Sequence, residues 1–406
     1  MSFRIALSGL GAATADLNTV SNNIANASTV GFKSSRAEFG DVYAVTAQGI
    51  SSTAVGSGVR LLKVAQQFKQ GNVEFTDKNL DLAISGQGFF TLSDNGGLAY
   101  TRAGDFSVDK SGYVVDPKGG RLQVFPPGTQ PNTFNTGTLG DLRLASTLGA
   151  PKATGNVALG LNLPAAAASP ATVPFDPTNS TTYNRSTAIT MYDSLGTAHT
   201  ATTYYLKTAT PNQWTTYLYI DGNQVPTGGN PSTTLQFDSS GQLVSPKTGK
   251  ITYGTDPATG ITPTLDYSSS TQYGSGFAVN SLTQDGFSAG RLSGINIDGA
   301  GVVQARFTNG QSQNLGKIAL ANFANPEGLQ QLGNTSWAET FASGARLLGE
   351  AGTASFGNIQ SGALEGSNVD LTKQLVNMII AQRNFQANAK MITTADTITQ
   401  TIINIR

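Results

Sequence analysis

Apolar residues return every seven positions at both ends of this chain and at every second position in stretches between. Phe3, Leu10, Leu17 and Ile24 are seven apart, and Ala6, Ala13, Val20 and Ala27 repeat with the same period three places on, so the two rows form an a/d seam. Ser2 is placed to cap the start and Gly31 to end the element, since glycine takes left-handed backbone without a Cβ penalty. One helix over the first thirty residues is predicted. At the other end Leu371, Met378, Phe385 and Ile392 repeat at the same spacing, flanked by Leu375, Ile379, Ala381, Ala389, Ala395 and Ile402. Asn368 is the predicted cap, and Asp370 falls in the first turn, where a negative charge meets the positive end of the helix dipole. The second helix is predicted to run to the chain end.

Between the helices, Leu80, Leu82 and Ile84 interleave with Asp81, Ala83 and Ser85, a strand pattern. Asp-x-x-Gly turns at Asp109–Gly112, Asp193–Gly196, Asp238–Gly241 and Asp298–Gly301 separate such runs, with Asp and Gly where a type I turn favours them. Asp94-Asn95-Gly96-Gly97, Asp221-Gly222-Asn223 and Thr308-Asn309-Gly310-Gln311 are further hairpin signals. Gly86-Gln87-Gly88 reads as a bend between strands, and a short helix is expected after Asn325, with Pro326 at its first position. The alanine- and proline-rich run Leu163 to Pro174 and glycine-rich Tyr273 to Phe277 read as connectors into and out of an inserted unit.

The fold class expected is therefore mainly β with terminal α-helices, which pair as a coiled-coil-like inner unit. Residues 1–30 and 366–406 would form that helical unit, 31–70 a joining segment, 71–149 and 281–365 an antiparallel β domain, and 150–280 an inserted outer β domain. The joining stretch Val42 to Lys69 includes the glycine-bearing run Gly49 to Gly58.

Composition narrows the function. Only 12% of the 406 residues are charged, about half the usual share, and 25 basic residues balance 25 acidic ones, which leaves no net field for nucleic acid or an anionic membrane. With one histidine, His199, and no cysteine, thiolate chemistry, disulfides and a histidine-built metal site are excluded, and His199 in its Thr-rich strand is assigned no role. No cofactor is expected, nor any enzymatic activity. The Asp-rich turns lack the Asp/Asn ladder ending in Glu of a calcium loop. Residues 1–27 mix polar and apolar positions, unlike a cleavable secretory signal, and no apolar run is long enough to span a membrane.

The first helix carries only Arg4 and Asp16 as charges, and Thr19, Asn22, Asn23 and Asn26 give its outer face neutral hydrogen-bonding groups, which are cheaper to bury than ions. Contacts on that side too are expected. The candidate subunit-interface residues are Phe3, Ala6, Leu10, Ala13, Leu17, Val20, Asn22, Asn23, Ile24 and Asn26 with Leu371, Leu375, Met378, Phe385, Ile392 and Ile402. Since isolated helices are marginal in water, both ends are expected to fray in a free monomer.

Three segments resemble the flagellar axial proteins, the family that builds rod and hook. They are Ser21-Asn22-Asn23-Ile24-Ala25-Asn26 with residues 29–36, residues 80–90 with Tyr100-Thr101-Arg102-Ala103-Gly104 and Phe106, and residues 362–371 with Gln382-Arg383-Asn384-Phe385. Ser281-Leu282-Thr283-Gln284-Asp285-Gly286-Phe287, residues 318–323 and Asn325-Pro326-Glu327-Gly328-Leu329 are similar to hook members in particular. Met191-Tyr192-Asp193-Ser194-Leu195-Gly196, with Tyr204-Tyr205 and Trp214, resembles the hook's outer domain. The resemblance implies a subunit exported unfolded, without a cleaved signal, by the flagellar export apparatus and added under a hook cap. The product would be a flexible helical tube, a universal joint transmitting torque from rod to filament, with distal rod and hook–filament junction proteins as neighbours. The lysine-linked crosslinking of some members needs a cysteine and is ruled out here. A distal rod subunit is the nearer alternative, and a secreted carbohydrate-binding or hydrolytic β protein, suggested by the aromatic strands around Trp214, the more distant one.

Overall fold

The computed structural model describes residues 2–43, 56–94, 96–130, 132–144, 149–353 and 355–404, without the side chains of Ser2 and Ile402. The chain divides into two compact units, one of Met1–Ala145, Gly294–Arg306 and Ser312–Arg406, the other of Ser146–Ser293 and Phe307–Gln311.

The first unit holds helix α1 (Ser2–Ala25), helix α2 (Leu371–Asn404) and a largely antiparallel sheet. Strands Ser312–Asn322, Arg121–Phe125, Phe89–Asp94 and Gly97–Thr101 are neighbours at its centre. Side chains alternate across a strand, so the consecutive Phe89 and Phe90 serve opposite faces. Phe90 joins Leu82, Ile84, Leu122, Ile318 and Leu320 in one core, while Phe89 joins Tyr100, Phe323 and Trp337 in another. Two short pairings bring the distant part of the chain back to the start of the sheet: Asn358–Ser361 on Leu82–Ser85, and Ala363–Glu365 on Val73–Phe75. In the joining segment, Ser35–Asp41 and Val59–Gln66 form an antiparallel ribbon. Residues 44–55, which take in the first part of the glycine-bearing run 49–58, lie outside the described residues.

The second unit packs a six-stranded sheet, centred on Ala198–Lys207 and Gln213–Ile220, with a four-stranded sheet containing Asn156–Asn162 and Ala278–Gln284. Trp214, Tyr205, Tyr253 and Tyr267 fill its core. Strand Asn156–Asn162 runs parallel to Thr264–Asp266, which local hairpin signals do not foresee. About a hundred residues separate the two strands, so no tight turn imposes an antiparallel direction. The two connectors lie side by side: Leu163 and Ala165 amides donate to Thr271 and Tyr273 carbonyls.

All four predicted Asp-x-x-Gly turns form. In each, the glycine amide donates to the aspartate carbonyl, the glycine has positive φ, and the carboxylate accepts two further amides, as at Asp298 from Ala300 and Val302. A fifth turn of the same kind, Asp116–Gly119, with Pro117 at the position where a type I turn favours proline, has the same bonds. Two expectations need correction. Helix α1 stops at Ala25, and turns carry the chain to Gly31, which has φ 68°: past the Asn26 amide the bonds run three residues back, from Ala27 to Ile24 and from Thr29 to Asn26, in place of the four-residue ladder. Asn368 is not the cap of α2; Asp370 is, its carboxylate accepting the Lys373 amide at 3.1 Å, while Asn368 is drawn to a different strand exit. The short helix expected after Asn325 forms as a single 3-10 turn, Pro326–Gly328, with Pro326 at its first position and Glu327 in its first turn.

Candidate assembly interface

Helices α1 and α2 pack antiparallel: Gly9 sits against Asn388, whereas Val20, farther along α1, shares a cleft with Gln374, earlier in α2. From this register about nine residues at the end of α2 run past the start of α1, at one residue of one helix per residue of the other. The inward row of α1 is its small one, with Ala6, Ala13 and Val20 buried and Leu10, Leu17 and Ile24 half-buried beside them. Phe3 stays about half exposed at 51%.

The inward row of α2 is Gln374, Ala381, Asn388 and Ala395, seven apart, with Met378 and Ile392 half-buried alongside. Two of its four members are polar, which is why apolar periodicity alone did not find it. The larger apolar residues face outward: Leu371, Leu375, Val376, Ile379 and Ile380 are each about half exposed, Met391 and Ile398 likewise, and Phe385 is 37% exposed. Ile402's side chain lies outside the described residues.

At the base of the pair, asparagines fix the chain's path. Asn23, 1% exposed, exchanges two hydrogen bonds with the Ser35 backbone, at 2.7 and 2.8 Å. Asn22 is exposed, and Asn26 reaches back to the Asn22 carbonyl. Asn368 accepts the Ser34 amide at 2.7 Å and donates to the Gln67 and Lys69 carbonyls. Burial raises the carboxyl pKa of Asp16, which lines the cleft below the helices. Among the described residues no group of three His, Asp or Glu could hold a metal ion, and no helix is long and apolar enough to cross a membrane.

The flagellar hook protein FlgE of Salmonella typhimurium is 41% identical over 411 residues, spanning 100% of both chains, and that of Borreliella burgdorferi is 33% identical over 446 residues and 98% of each. The chain belongs to the flagellar hook protein family. It is a structural, non-enzymatic hook subunit, and membership implies polymerisation into the hook tube. Neither the rod nor the carbohydrate-binding alternative is favoured by hook relatives of full length. Four family models match in order: flagella basal body rod protein at 3–33, the hook protein FlgE/F/G D1 domain at 83–169, the basal body FlaE D2 domain at 162–287, and the basal body rod FlgEFG C-terminal region at 360–405. The crystal structure of Helicobacter pylori FlgE2 shares the fold, with a TM-score of 0.53 at 16% identity over 72% of this chain and all of that one.

Proposed function

We propose that copies of this chain join through their terminal helices, the outward face of α2 packing on neighbouring copies, to build the inner wall of a flexible tube. One observation carries this reading: Leu375, Ile379 and Ile380 are left half exposed by the described residues, on a helix whose inward row is alanine, asparagine and glutamine. Small seam residues bury little apolar area, so the pair alone is weakly held, and each large side chain covered by a neighbour adds roughly 1.5–3 kcal/mol. The β units, with polar and weakly charged surfaces, would supply outer contacts that shift as the joint bends while it transmits torque. Of the interface residues named from the sequence, exposed Phe3, Asn22, Leu371, Leu375 and Phe385 would meet neighbouring copies, while Ala6, Ala13, Val20 and Asn23, buried within the chain, would act by holding the pair that presents them. Partners on this reading are the hook cap, the distal rod, the hook–filament junction proteins and the export apparatus, which passes the chain without a cleaved signal.

Ile379→Asp tests it, because the substitution lies outside the pair formed within one chain. Tubes should fail to form in negative-stain microscopy and cells should lose motility, while Leu10→Asp gives the same loss from the seam side and both variants keep folded β units. Normal hooks from Ile379→Asp would refute the reading.

A further inference from the structure

Lys33, Arg102 and Glu365 lie 69 and 263 positions apart in sequence, one in each of the three segments that resemble the axial family, and they meet in one buried cluster. Lys33 Nζ donates to Glu365 Oε1 at 2.5 Å and to the Lys69 carbonyl at 2.9 Å; Arg102 Nη1 donates to Glu365 Oε2 at 3.1 Å. The side chains of Lys33 and Glu365 are 0% exposed and that of Arg102 is 4%. The Gly71 amide also donates to Glu365 Oε1, and the Gly31 amide to the Glu365 carbonyl. Burial lowers the pKa of both cations, and Glu365 opposes that fall.

A buried ion left without its partner is far costlier than the same ion in water, whereas the complete set is near break-even against an apolar core. The arrangement therefore gains little as a source of stability and much as a conditional contact. Arg102 directly follows the strand Gly97–Thr101, Lys33 lies on the chain leaving α1, and Glu365 ends the short strand Ala363–Glu365 on the way to α2. Removing either end strands a charge supplied by the other part.

We propose that Glu365 is a clasp that makes the two chain ends order together: residues 31–37 dock on the β unit only when 363–370 are docked, and the reverse. Neither helix then has a fixed base unless both do, so a chain with one end misplaced presents no helix pair. The clasp is independent of whether the helices assemble with other copies, because it lies within one chain.

Amide hydrogen exchange on the full-length monomer tests it. In the wild type, peptides over 31–37 and 363–370 should be protected alike. Lys33→Met should speed exchange in 363–370, and Glu365→Gln in 31–37, each by about a hundredfold, with peptides over 82–92 and 318–322 unchanged. The triple variant Lys33→Met, Arg102→Met, Glu365→Leu, which removes all three charges, should restore protection at both. If Lys33→Met loosens only its own segment, or if the wild-type monomer protects neither, the clasp is refuted.

Discussion

Gly9 of α1 lies directly beneath the side chain of Asn388 on α2, so close that a Cβ at Gly9 would collide with the Asn388 carboxamide. A helix interior disfavours glycine by up to about 1 kcal/mol relative to alanine, and here the absent side chain is what lets the two helices approach. Gly11, two residues on, meets nothing within 4 Å.

Gly9→Val is therefore expected to splay the pair and abolish tube formation in electron micrographs, without lowering the melting temperature of the β units. Gly11→Ala should be tolerated and raise helix content slightly. Hooks of normal form from Gly9→Val would show that the close approach is dispensable.

The periodicity of both helices was legible because seven-residue spacing survives any packing detail. Which way each row points was not: the sequence offers more apolar positions on α2 than one seam can use, and Leu371 and Leu375 look as suited to the inside as Met378. Turn chemistry was readable wherever Asp and Gly stand three apart, since those bonds are local. The Lys33–Glu365–Arg102 cluster was invisible, because in a single sequence three charges at such separations are indistinguishable from surface ions. Asn368 was misread for a related reason: its position suits a cap, and only the approach of residues 34, 67 and 69 gives it something better to bind.

His199 is bonded through Nδ1 to Asp221 at 2.6 Å and has Asp193 at 3.5 Å from Nε2, bridging two turns of the second unit. The Asp221 bond raises its pKa against the lowering effect of burial, and Asp193 adds to the rise. A raised folded value means the stabilisation is complete below the unfolded value, about 6.5, and is lost as pH climbs through the folded one. The second unit should thus weaken from neutral toward alkaline pH, and His199→Gln should remove that dependence. Melting followed by Trp214 fluorescence, with Trp337→Phe in the background, isolates this unit; equal pH slopes with and without His199 would contradict the assignment.

Asp285 gives the opposite sign. Burial alone would raise its carboxyl pKa, but the amides of Asn156 and Gly155 and the ammonium of Lys152 together hold it far below the usual range. Its contribution is present above the unfolded value of about 3.9 and disappears as acid protonates the folded carboxylate. Asp285→Ala is expected to cost the second unit about 2 kcal/mol at neutral pH and to make its acid unfolding less steep. Denaturant titration at pH values on both sides of the unfolded value measures both effects, and an unchanged midpoint at neutral pH would rule the bond set out as a stabiliser.

Trp337 holds the ribbon of the joining segment to the sheet. Its ring stands edge-on to Phe68 at 5.4 Å and to Phe89 at 5.7 Å, and its indole N–H donates to Gln66, the last residue of the ribbon's second strand. A two-stranded ribbon is marginal by itself, and the Lys63–Glu327 ion pair, half exposed on both sides, adds little. Beside the Asn23 and Asn368 bonds that hold this end to the helix bases, the aromatic contact is what ties the ribbon to the sheet. Trp337→Ala should destabilise the first unit by about 3–5 kcal/mol and open Lys63 and Lys69 to trypsin, whereas Trp337→Phe, which keeps ring packing and loses only the indole donor, should cost about 1 kcal/mol and leave both lysines resistant. The order of cleavage rates separates packing from the hydrogen bond: if Trp337→Phe is cut as fast as Trp337→Ala, the donor to Gln66 is the anchor and the rings are secondary.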